Sequence, residues 1–101
     1  MNKLQELNLI LDEDGFIPYE LEFSLLYVKS FGIHQVQVML HPADNVVDIL
    51  VRDLETDLRV SRTEYIPWIQ SSKMDMRSWF HNTLKGLREY LSDISELKYR
   101  E

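Results

Sequence analysis

The chain has 101 residues, 45% of them hydrophobic, with 17 acidic against 11 basic side chains and a formal charge of −6. That length fits one domain over residues 1–101, and the hydrophobic share is ordinary for a folded protein and too high for a disordered one. The lack of cysteine excludes disulfides, thiolate catalysis and zinc–thiolate or iron–sulfur sites, and the acidic balance argues against a main role in gripping phosphate backbones.

Glu6 and Asn8 interrupt the apolar residues at the start, which argues against a signal peptide. No apolar run is long enough for a spanning helix. Asn2 stands where myristoylation needs glycine, and prenylation needs a cysteine. The expectation is a cytoplasmic chain without membrane attachment.

Leu4, Leu7 and Leu11 stand at helical spacing while Leu7, Leu9 and Leu11 also alternate, and the reading chosen is a short N-terminal helix. The following Asp12-Glu13-Asp14-Gly15-Phe16-Ile17 resembles the centre of an EF-hand calcium loop over about eight residues. The first ligand position falls on Ile10 and the closing one on Leu21, so the segment reads as an acidic turn. Residues 18–31 fit two periods. Leu21, Phe23, Leu25 and Tyr27 alternate as in a strand, while Tyr19, Phe23, Leu26 and Tyr27 share one helical face. Pro18 suits a first helical turn, and Lys29 and Gly32 suit a helix end, with Ile33 folding back on Val28. These ends favour a helix.

Val36, Val38 and Leu40, then Val47, Ile49 and Val51, alternate with their neighbours, and His41–Asn45 supplies a turn between them. Residues 58–65 form a weaker third strand that Pro67 ends. Tyr65–Ile69 reads as an apolar connector. From Met76, the recurrence of Phe80, Leu84, Leu87, Leu91 and Ile94 marks a long helix, with Ser72 and Asp75 as a capping-box variant. Lys85–Glu89 and Glu96–Arg100 are spaced for ion pairs on its polar face. Adjacent Trp79 and Phe80 point about 100° apart, which argues against both facing one core.

The expected fold is therefore α+β, a three-stranded antiparallel meander on a long C-terminal helix, preceded by one or two N-terminal helices. Its element order resembles the layout of double-stranded-RNA-binding domains. Those place a lysine cluster at the start of the last helix, where Ser71–Asp75 brings one lysine and one aspartate.

Charge is uneven, −8 over residues 1–57 and +2 over residues 58–101. No nucleophile elbow, phosphate loop or zincin helix occurs, and His34, His41 and His81 lack metal-ligand spacing. The sequence gives no reason to expect an enzyme, a metal or a cofactor. By elimination it points to a protein-binding module, with inhibitors of the toxin-immunity, antitoxin or phage anti-defence kind among its expected forms. Asp44, Asp48, Glu55 and Asp57 would meet a basic protein partner, with Trp68 and Trp79 as aromatic anchors. The alternatives are a nucleic-acid contact through Arg52, Arg59, Arg62 and Arg77, and a homodimer paired along the C-terminal helix seam.

Overall fold

The computed structural model describes residues 2–100, with side chains described through Leu97. The chain forms α1 (Lys3–Glu13), β1 (Ile17–Glu20), β2 (Leu25–Phe31), β3 (His34–His41), β4 (Val46–Asp53), β5 (Arg59–Tyr65), α2 (Ile66–Ser71) and α3 (Met76–Arg100). The five strands make one antiparallel meander in the order β1-β2-β3-β4-β5. The fold is α+β as expected, with two strands more than the three predicted.

The N-terminal helix is capped by a reciprocal pair. Asn2 Oδ1 accepts the Gln5 N–H at 2.8 Å, and Gln5 Oε1 accepts the Asn2 N–H at 3.1 Å. Gly15, at φ 86°, turns the chain out of α1, a conformation that side chains disfavour. The expected helix over residues 18–31 is instead the hairpin β1–β2. Both periods fit those residues, and tertiary pairing decides between them: Leu25, Tyr27 and Phe31 lie opposite Leu40, Val38 and His34 on β3. Alternation then places one set of β2 side chains on the sheet's core side. Gly32, at φ 62°, makes the tight β2–β3 turn rather than a helix end.

β3 and β4 alternate strictly between buried and half-buried. Val36, Val38, Leu40, Val47, Ile49 and Val51 meet Leu7, Ile10 and Leu11 of α1, Ile66 and Ile69 of α2, and Met76, Trp79, Phe80, Leu84 and Leu91 of α3 in one core. All three helices thus share the inner side of the sheet. The apolar connector is itself a short helix, α2, with Pro67 in its first turn. Asp75, not Ser72, caps α3: its carboxylate accepts the Ser78 N–H at 2.8 Å and the Ser78 hydroxyl at 2.9 Å. Those bonds hold Asp75 below the usual carboxylate range.

Trp79 and Phe80 are both buried, at 8% and 0% exposure. α3 meets α1 and α2 as well as the sheet, so two side chains about 100° apart both find cover. The seam from Phe80 to Ile94 faces this chain's own core, which removes it as a dimer surface. On the polar face Lys85 and Glu89 pair at 4.0 Å, while the Glu96–Arg100 pair lies outside the described side chains.

Candidate functional site

Strand register fixes what the other side of the sheet carries. Tyr19, Leu26, Met39, Asp48 and Thr63 form one row across the five strands, and Ile17, Val28, Gln37, Leu50 and Ser61 form the next. Flanking rows hold His41, Val46 and Tyr65 at one end, and Ser30, Gln35, Arg52 and Arg59 at the other. None of these side chains belongs to the core shared with the helices. Ile17, Tyr19, Leu26, Val28, Met39 and Leu50 therefore make a contiguous apolar field on an open sheet face, with Ile17 58% and Tyr19 51% exposed. Contiguous exposed apolar patches are uncommon on the surfaces of folded domains.

The end of the sheet at His41 adds a rim. Phe23, in the β1–β2 loop, is 79% exposed, and Trp68 on α2 is 68% exposed. Trp68 packs edge-on against Tyr65, with ring centroids 5.8 Å apart. Asp44, in the β3–β4 turn, is exposed at the same end. Of the six side chains expected to bind protein, Asp44, Asp48 and Trp68 share this end. Glu55 and Asp57 lie in the β4–β5 turn at the opposite end, so the acidic face is not continuous. Trp79 is in the core and cannot act as an anchor.

Asp48 is embedded in a polar relay. His41 Nε2 meets Asp48 Oδ2 at 2.8 Å, Ser24 Oγ meets His41 Nδ1 at 2.9 Å, and the Thr63 hydroxyl donates to Asp48 Oδ1. In the neutral imidazole an Nε2–H donated to Asp48 leaves Nδ1 to accept the proton of Ser24. Nothing in the spacing of Ser24, His41 and Asp48 announced this chain, because hairpin pairing brings them together. Among the described residues no group of three or more histidine and acidic side chains is arranged to hold a metal ion.

At the opposite end, Asp57 Oδ1 accepts from Arg52 Nε at 2.7 Å and lies 3.6 Å from Arg59. The Arg52 hydrogen bond and charge hold Asp57 below its ordinary range. The expected arginine cluster does not assemble. Arg52 and Arg59 share the open face, whereas Arg62 lies opposite Ile49 on the other side, because positions three apart on a strand face opposite ways. Arg62 pairs with Glu64 at 3.1 Å, and Arg77, far away on α3, is held by Glu13 and Asp14.

No family model matches this chain, and no curated protein or solved structure matches it either. Among the described residues no helix is long and apolar enough to cross a membrane.

Proposed function

We propose that this chain is a non-catalytic protein-binding module that docks through the open face of its sheet. The observation that carries this reading is the apolar field of Ile17, Tyr19, Leu26, Val28, Met39 and Leu50 in adjacent register rows, on the side of the sheet the helices leave free. Apolar area in the centre and polar groups at the rim is the anatomy of a protein interface. Asp44, Asp48, Tyr65 and Trp68 at one end give the partner's basic groups an acidic and aromatic border, in keeping with an inhibitor-type module. The test is affinity capture with the wild type, with Leu50→Lys in the centre of the face and with Lys85→Glu on α3. A partner retained by the wild type and by Lys85→Glu but lost from Leu50→Lys supports the reading. Capture that ignores Leu50→Lys, or that returns only nucleic acid, overturns it.

A second reading rests on the relay alone. Ser24 Oγ, giving its proton to His41 Nδ1 while Asp48 holds Nε2–H, has the proton path of an acyl-transfer nucleophile. A fluorophosphonate probe would then become bonded to Ser24 with loss of fluoride, and His41→Gln would abolish the labelling. Absence of label from the wild type leaves the relay as a strut joining the β1–β2 loop to β3, β4 and β5.

A further inference from the structure

The two edges of the sheet are not equivalent. Antiparallel neighbours alternate between residue pairs that exchange backbone hydrogen bonds and pairs that do not. Asp53 N–H donates to Leu58 C=O at 2.9 Å, and Ile66 N–H donates to Asn45 C=O at 2.8 Å. These two bonds set the phase, so Val60, Arg62 and Glu64 turn their backbone groups toward β4. Arg59, Ser61, Thr63 and Tyr65 turn theirs outward, because β5 ends the sheet. At the other edge, Leu21 N–H donates to Ser24 C=O at 2.9 Å. By the same alternation Pro18 and Glu20 face outward on β1, and proline has no N–H to offer. The β1 edge is short and blunted, whereas β5 has seven residues in unbroken register and no proline.

The charges on β5 select what fits its edge. Arg62 and Glu64 stand on the core side of the strand, one on either side of Thr63, and both are already close enough to pair at 3.1 Å. A positive and a negative group placed symmetrically about one residue are self-complementary under a two-fold axis. We propose that the β5 edge takes a second copy of this chain, added antiparallel about a two-fold axis at Thr63 so that two sheets become one. Ser61 then exchanges backbone hydrogen bonds with the partner's Tyr65, and Thr63 with the partner's Thr63. Arg62 falls opposite the partner's Glu64, twice by symmetry.

Neighbouring registers are worse. An axis at Arg62 sets two arginines against each other, and an axis at Ser61 sets Arg62 against the partner's Val60. The ladder stops after Tyr65, where α2 begins and Pro67 lacks an N–H. Backbone bonds supply the attraction, and the ion pairs fix the register.

Sedimentation of the full chain over a concentration series, with circular dichroism to monitor the fold, tests this proposal. The wild type is expected to dimerise as concentration rises. Thr63→Pro removes an outward N–H without touching the β4–β5 ladder, and is expected to weaken the dimer roughly tenfold or more. Because that change also removes the hydroxyl bond to Asp48, charge reversals form the second arm. Arg62→Glu and Glu64→Arg are each expected to weaken the dimer about tenfold. An equimolar mixture of the two is expected to form a heterodimer, and the double variant is expected to dimerise alone. Such rescue does not follow from misfolding. A wild type that stays monomeric throughout the series overturns the proposal. So does a dimer indifferent to both reversals, or assembly only with a different chain.

Discussion

Arg88 Nε, on α3, donates to Nδ1 of the buried His34 at 3.2 Å, and the same guanidinium lies 4.8 Å from the Phe31 ring centroid. An arginine that only donates makes Nδ1 an acceptor, so His34 is held as the neutral tautomer with its proton on Nε2. Burial lowers the His34 pKa, Arg88 lowers it further, and the Asp53 carboxylate opposes them both. A depressed folded-state value means that the unfolded chain binds the proton more readily. The His34 contribution is therefore present above the ordinary histidine pKa of about 6.5 and is lost as pH falls below it.

Stability measured by urea unfolding should accordingly decline between pH 7 and pH 5. His34→Gln should flatten that part of the profile. Arg88→Met should raise the His34 pKa followed by NMR titration. An unchanged His34 titration in Arg88→Met would show that the guanidinium does not act on the ring.

Asp53 gives a separate acidic window. It is 2% exposed, and its Oδ1 accepts the Glu55 N–H at 2.9 Å and the Thr56 N–H at 3.0 Å. Burial pushes its pKa up, but these bonds, with those from the Ser95 and Thr56 hydroxyls, bring it below the usual value. The Asp53 contribution is present above the ordinary aspartate pKa of about 3.9 and is lost below it. Asp53→Ala should cost about 2–3 kcal/mol at neutral pH, since it strands buried donors. Asp53→Asn keeps one acceptor and should cost less. Chemical denaturation at pH 7 compares the two.

The α3 cap can be assigned by substitution. Asp75→Ala should measurably destabilise the protein, because the first turn of α3 loses its side-chain acceptor. Ser72→Ala should cost clearly less, because the Ser72 hydroxyl donates to Ile69 C=O at the end of α2. Thermal unfolding of both variants measures the difference, and the reverse order would return the cap to Ser72.

The two tryptophans should separate optically. Trp68→Phe leaves Trp79, 8% exposed, and should emit at shorter wavelength with weak iodide quenching. Trp79→Phe leaves Trp68, 68% exposed, and should emit at longer wavelength with strong quenching. Removing Trp79 should also lower stability, by about 1–3 kcal/mol, because a smaller ring leaves a void in the core.

The sequence by itself determined the elements whose apolar period has one solution. The steps from Phe80 to Ile94 fit only a helix face, and alternation through β3 and β4 fits only half-buried strands. It also determined the turn at His41–Asn45, whereas the N-terminal segment fitted two periods, and the structure makes it the helix α1. Residues 18–31 were undetermined because Leu25, Leu26, Tyr27 and Val28 are all apolar, so every period finds a face. Pairing with β3 chose the strand, since β3 supplied a row of partners that a helix would have left unbonded.

The candidate site was legible only in fragments. Asp44, Asp48 and Trp68 share one end of the sheet, but Ile17, Tyr19, Val28 and Leu50 gave no signal as a surface. In a strand with apolar residues on both sides, composition cannot say which side the helices cover. Only the tertiary structure decided that, because all three helices follow one side of the sheet and leave the other open.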